Sequence, residues 1–252
     1  MDKAKSKILV LVEGPKTDYK LMDKLLTIYG INASHQIVSY NTNIYTLYNA
    51  MFRDLDPDSL DLLQVLRERE PDEEKKRIFD DAYSDVLLIF DLDPQAPDFT
   101  PEKICEMALY FTESTDMGKL YLNYPMVEAF YHMKDIPDPE YNTYKATMEE
   151  LQNGQYKERV NRENRNHDQR KFAVNKEECN TVIRQNIEKA YLIATGATPD
   201  DMTDLSVPDG IQILQEQLKQ LLTDNAVAVL CTCVFYIADY NPALLIEDKD
   251  CL

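Results

Sequence analysis

The sequence predicts an α/β fold, with a parallel sheet of about four strands flanked by helices and an α-helical C-terminal half. Three observations carry that reading. Two short apolar runs, residues 7–12 and 86–90, are rich in β-favouring side chains and end in acidic turn-forming stretches, as strands buried on both faces do. Helical spacing alternates with further strand-like runs up to about residue 137. Beyond that point the strand signals stop.

Composition sets outer limits. A chain of 252 residues with 44% hydrophobic content can bury a substantial core. A net charge of −18 and a pI near 4.5 exclude indiscriminate binding to nucleic acid or anionic membrane, because the overall field repels polyanions. A phosphate-bearing substrate must then be met by a local positive surface or by metal. The cysteines, Cys105, Cys179, Cys231, Cys233 and Cys251, form no CxxC pair, and Cys231 and Cys233 lie in an apolar run as expected of buried thiols. This pattern fits a reducing compartment. The apolar run before Glu13 is too short for a signal peptide, and that at 226–238 is short of a membrane span. The expectation is a cytoplasmic protein with no membrane segment.

Taken in order, residues 7–12 form a strand ending at Glu13-Gly14-Pro15-Lys16-Thr17-Asp18. Thr17 is placed to cap a helix whose apolar face holds Leu21, Met22, Leu25, Leu26 and Ile28, with Gly30 as its stop. Residues 35–40 form a shorter strand, so the chain opens as a right-handed β-α-β unit. A helical insertion follows at about 43–82, its charge runs forming a solvated face. After the strand at 86–90, Pro101 starts a helix to about residue 111. Residues 119–124 make a fourth strand, and Pro125 starts a helix through His132. The runs 143–153, 156–172, 176–195, 209–222 and 226–239 all read as helices. Residues 1–137 are thus expected to form an α/β domain and 138–252 a helical region.

Phe90-Asp91-Leu92-Asp93-Pro94 is the stretch most suggestive of chemistry. Ligands of open α/β sheets bind beyond the carboxyl ends of the strands. If the chain stays extended, Asp91 and Asp93 point the same way and could share one divalent cation. The competing reading is an acidic turn stopped by Pro94. Gly14 suits a tight turn, and the phosphate-binding pattern GxxxxGK[ST] is absent.

Val12-Glu13-Gly14-Pro15-Lys16-Thr17-Asp18 and Phe90-Asp91-Leu92-Asp93, in this order and context, resemble the two motifs of the Toprim domain of topoisomerases, bacterial primases and OLD-type nucleases. The resemblance covers roughly residues 6–132. Asn123-Tyr124-Pro125-Met126-Val127-Glu128 is similar to an Asn-Pro-x-x-Glu-type segment of small Toprim-like proteins of bacterial anti-phage defence, with Tyr124 inserted between asparagine and proline. The resemblance implies Mg²⁺-dependent phosphodiester cleavage, with Mn²⁺ as an alternative ion, on a nucleic-acid substrate such as tRNA. It also implies an ATPase partner protein.

Hard oxygen ligands suit Mg²⁺, which keeps several waters and takes one or two protein carboxylates. In that scheme Asp91 and Asp93 are ligands, and Glu13 binds a second ion or acts as general acid/base. Glu128 completes the cluster or is a capping or surface glutamate. Lys16 meets phosphate from the first loop or is an ordinary exposed lysine. Residues 157–176 form an island of net charge +4 in the acidic whole. There Arg162, Arg165, Arg170 and Lys171 offer a phosphate track, with Tyr156 and Phe172 available for stacking; ordinary helical charge pairs are the alternative. A rival for the whole chain is a non-catalytic acidic protein that mimics nucleic acid or binds a basic partner. A homo-oligomer fits either reading.

Overall fold

The computed structural model describes residues 7–53, 56–115, 117–199 and 206–245. The N-terminal lead at residues 1–6 and Cys251 lie outside the described residues. Contacts divide the chain into two compact units. One runs to Phe90 and resumes over Glu102–Leu120; the other covers Asp91–Pro101 and the chain from Tyr121 onward. The division falls at residues 90–91, 101–102 and 120–121.

The first unit is the α/β layer. In chain order its elements are β1 (Ile8–Val12), α1 (Thr17–Ile28), β2 (His35–Ser39), α2 (Ile44–Met51), α3 (Leu62–Arg69), α4 (Glu73–Lys76), β3 (Asp85–Asp91), α5 (Pro101–Tyr110), β4 (Thr112–Glu113) and β5 (Gly118–Asn123). The last residues of β3 and β5, and the first of α5, belong to the second unit. The five strands form one sheet in the order β2-β1-β3-β5-β4. β1 pairs in parallel with β2, Val12 opposite Ser39, and with β3, Val12 opposite Ile89. β4 is a two-residue antiparallel edge beside β5, too short to register as a strand pattern. Leu9, Val10, Leu11 and Val12 are fully buried, each stabilising the fold by about 1.5–3 kcal/mol relative to exposure. That burial on both faces is why β1 reads as an unbroken apolar run.

α1 buries Leu21, Met22, Leu25 and Leu26 as its spacing predicts. Its start differs from expectation: Lys16 occupies the N-cap position without a side-chain cap, and Thr17 is the first helical residue. The buried Asp18 lies against Gly14, where an added Cβ would come within 2.7 Å of its carboxylate oxygen. A side chain at position 14 would therefore displace the end of Asp18. At the other end Gly30, with φ +69°, lets Ile31 N–H reach the Leu26 carbonyl at 2.9 Å.

The second unit continues with β6 (Lys145–Thr147), α6 (Met148–Gln152), α7 (Gln155–Glu163), α8 (Lys176–Thr195), α9 (Gly210–Asp224), β7 (Ala226–Ala228) and α10 (Phe235–Tyr240). Three of the expected helices are thereby revised. The run 143–153 holds a strand before its helix, 156–172 stops being α-helical at Glu163, and 226–239 opens as a strand. Residues 226–238 are all buried, so they show no polar face, and periodicity cannot separate strand from helix in such a run. β6 and β7 pair antiparallel, Ala146 opposite Val227.

Polar side chains from the helices finish the hydrogen bonding that so small a sheet leaves open. Gln217 of α9 brackets Ala228, accepting from its N–H at 2.8 Å and donating to its carbonyl at 2.9 Å. Asn186 of α8 accepts from Tyr141 Oη at 2.7 Å and Cys231 N–H at 2.9 Å. Lys189, also on α8, donates to the carbonyls of Tyr141 at 2.6 Å and Tyr144 at 2.8 Å. Burial pushes the Lys189 pKa well below the ordinary value. No helix among the described residues is long and apolar enough to cross a membrane.

Candidate metal centre

β3 ends at Asp91, and the chain turns at once. Leu92 N–H donates to the Asn123 carbonyl at 3.0 Å, Asp93 N–H to the Pro125 carbonyl at 3.2 Å, and Ala96 N–H back to Asp93 O at 2.9 Å. Asp93 adopts φ +42°, in the left-handed region. The expectation that both aspartates project from one extended strand is therefore corrected at Asp93: Asp91 ends the strand, and Asp93 is held by the turn that follows, which side-chain alternation does not describe.

Each acid has its own support. Asp91 is buried and accepts from Asn123 Nδ2 at 3.3 Å. Asn123 is fully buried, and its Oδ1 accepts from the N–H groups of Thr232 at 3.1 Å and Cys233 at 3.2 Å. It thus ties the end of β5, the 231–233 loop and Asp91 together. Asp93 accepts from Gln95 Nε2 at 3.0 Å. Burial, with Glu128 adding to it, raises the Asp93 pKa against the opposing pull of Gln95 and Lys157.

Glu128 lies in a 3₁₀ segment, Val127–Tyr131, preceded by a cis Tyr124–Pro125 bond. The α-helix expected from Pro125 through His132 does not form. All five residues of the segment are buried, and a run with no polar face carries no periodicity from which its conformation could be read. Glu128 is 5% exposed; Oε1 lies 3.2 Å from Lys157 Nζ, and Oε2 is buried without a hydrogen-bond partner. Lys157 reaches this position from α7, whose Tyr156 and Val160 are core residues. The helix is pinned beyond its C-terminus, where Asn164 Nδ2 donates to the Tyr131 carbonyl at 2.7 Å and Arg165 N–H to that of Met133 at 2.9 Å. Burial lowers the Lys157 pKa, but Glu128, Asp91 and Asp93 outweigh it, and the ammonium is held above its ordinary value. The three acids thus act on one lysine.

The remaining expected residues are distributed as follows. Glu13 is in the first unit, its N–H donating to the Ile89 carbonyl at 3.1 Å and its carbonyl accepting from Asn41 N–H at 2.9 Å. Lys16 is exposed at the start of α1. Arg162 is 69% exposed and 3.4 Å from Glu163. Arg165 bonds Glu178 at 2.9 Å, and Arg170 bonds both oxygens of Asp168 at 2.9 Å. Lys171 is exposed. Tyr156 and Phe172 do not serve as stacking platforms: both are buried, Phe172 packing edge-on against Phe130 with ring centroids 5.6 Å apart.

His132 neighbours this centre. Its Nε2 donates to Glu163 at 3.2 Å, leaving Nδ1 to accept from Tyr156 Oη at 3.3 Å. Burial, aided by Arg159 and Lys189, lowers its pKa to about 4 against the pull of Glu163. At neutral pH the ring is uncharged, so the contact is an N–H donor on a carboxylate and not an ion pair. Burial opposes ionisation of Glu163, yet His132, Arg159 and Arg162 together hold its pKa below the usual value. The unfolded chain takes up the histidine proton near pH 6.5 and the folded chain only near 4. His132 therefore stabilises the fold fully above pH 6.5, and its contribution is lost as pH falls from 6.5 through 4, by about 3 kcal/mol. Denaturant unfolding of His132→Gln across this range should show a flatter acid limb than the parent; identical limbs would refute the assignment.

No family model, curated protein or solved structure matches this chain. The centre is consequently interpreted on its own chemistry. Asp91, Asp93 and Glu128 carry only hard oxygen donors, the type that suits Mg²⁺ or Mn²⁺, and Glu128 Oε2 is buried without a partner. Among the described residues, no group of three or more His, Cys, Asp or Glu side chains stands ready to hold a metal ion. Lys157 was legible in the sequence only as one charge in the 157–176 island. Asn123 was legible only as part of a motif. No local pattern reveals that a lysine 64 residues after Asp93 faces it, since that pairing follows from where α7 packs.

Proposed function

We propose that the protein is a Mg²⁺-dependent Toprim-type nuclease that cleaves nucleic-acid phosphodiesters, with RNA such as tRNA as the favoured substrate class. The supporting observation is the Asp91, Asp93 and Glu128 group acting on Lys157, with one Glu128 oxygen buried and unbonded. Acids gathered at a cost in mutual repulsion are better explained by cation binding than by stability. A divalent cation bound there supplies Lewis-acid polarisation of the phosphodiester and neutralises charge as it develops. Asp91, which Asn123 orients, Asp93 and Glu128 would hold that ion. In this reading Glu13 moves the proton between water and the leaving oxygen. Lys16, Arg162, Arg165, Arg170 and Lys171 contact substrate phosphates.

In this reading the sheet is a Toprim-like core followed by a mainly helical C-terminal half, and the protein works in the cytoplasm beside an ATPase partner, as a homo-oligomer. The net charge of −18 favours a second reading, a non-catalytic acidic protein that occupies a basic partner surface. A panel of tRNA, single-stranded DNA and duplex DNA, incubated with Mg²⁺, Mn²⁺ or EDTA, separates the two. Cleavage is expected with Mg²⁺ or Mn²⁺ and none with EDTA. Cleavage indifferent to EDTA would refute the metal mechanism, and no cleavage of any substrate would favour the second reading.

A further inference from the structure

Lys157 has no role in the chemistry outlined above, yet Glu128, Asp91 and Asp93 all act on it. Its contact is unusual for a surface lysine. The side chain is 59% exposed, whereas that of its partner Glu128 is 7% exposed. A carboxylate so buried is costly to keep ionised without a compensating charge. Only Oε1 receives the ammonium, at 3.2 Å, and Oε2 is left with no partner. A single lysine therefore half-satisfies a group able to hold a divalent ion.

We propose that Lys157 is a tethered counter-ion which competes with divalent cations for Glu128 and so sets how tightly the centre binds them. The inference rests on the metal-dependent reading of this site and concerns its regulation. The geometry allows the exchange. Lys157 projects from α7, which is anchored through Tyr156, Val160, Asn164 and Arg165. The helix can stay in place while the lysine side chain swings out to water. Glu128, in the packed 127–131 segment, cannot follow it. A cation arriving at Glu128 must displace the ammonium, and its apparent affinity is reduced by the strength of that ion pair. Because Lys157 is largely exposed, water screens the pair, and the expected effect is about tenfold and not the far larger factor of a buried pair.

The test is Mn²⁺ binding to the full chain, followed by the electron paramagnetic resonance signal of free Mn²⁺, with no substrate present. Lys157→Gln should bind Mn²⁺ about tenfold more tightly than the parent, and Lys157→Arg, which keeps the charge, should bind close to the parent value. Lys219→Gln is the control for net charge, since Lys219 pairs with Glu216 on the exposed face of α9. It should leave affinity unchanged. Equal tightening by Lys219→Gln would reduce the effect to overall charge and overturn the proposal. Unchanged or weaker binding by Lys157→Gln would also overturn it, and would leave the metal-dependent reading intact provided that Mn²⁺ still binds. If neither the parent nor the variants bind Mn²⁺, both fall.

Discussion

Asp91→Asn is expected to cut divalent-cation-dependent cleavage by roughly a thousandfold, the scale of losing a group that acts in the transition state, while the protein stays folded. The substitution is nearly isosteric. An asparagine oxygen can still accept from Asn123 Nδ2, 3.3 Å away in the parent, so the link between β5 and the turn after β3 survives. What is lost is one negative charge beside Asp93 and Glu128. That removal takes away a pull on Lys157 as well as negative charge near the other acids, and with the hydrogen bond kept the change in unfolding free energy should stay within about 1–2 kcal/mol. Single-turnover cleavage and denaturant unfolding, measured on the same preparation, separate chemistry from folding. Parental cleavage by a folded Asp91→Asn protein would remove this residue from the centre.

Asn123→Ala should act in the opposite way, on the fold first. The side chain is fully buried and makes three hydrogen bonds, two of them accepting main-chain N–H groups of the 231–233 loop. Truncation leaves the Thr232 and Cys233 amides buried without their acceptor, at about 1–3 kcal/mol each. A loss of roughly 3 kcal/mol or more is expected in denaturant unfolding. Asn123→Asp keeps the acceptor but turns a carboxylate toward Asp91 in place of an amide donor. It should therefore be unstable at neutral pH and partly recover in acid, as one of the two carboxylates becomes protonated. A loss below about 1 kcal/mol for Asn123→Ala would mean that the loop holds itself.

These two expectations mark how the centre divides between chain-local and long-range causes. The strands β1 and β3 could be read directly because each is buried on both faces, which writes itself as an uninterrupted apolar run. α1 could be read because one face is buried and the other wet, leaving a 3.6-residue rhythm. Positions just past such strands are natural ligand sites, which is why Glu13, Asp91 and Asp93 stood out. The same logic failed where burial was complete over a longer stretch. Residues 226–238 carry no rhythm at all, so β7 was hidden within an apparent helix. The 127–131 segment was hidden in the same way.

The identity of the strands, the acids that follow them and the acidic balance of the whole were local properties, written in which side chains meet water and which do not. The turn at Asp93, the inward aim of Glu128, the amide peg at Asn123 and the approach of Lys157 were not. Each depends on groups far apart in the chain, and their energies come from desolvation and hydrogen-bond geometry that exist only once the elements have packed. Spacing along the sequence carries no record of them.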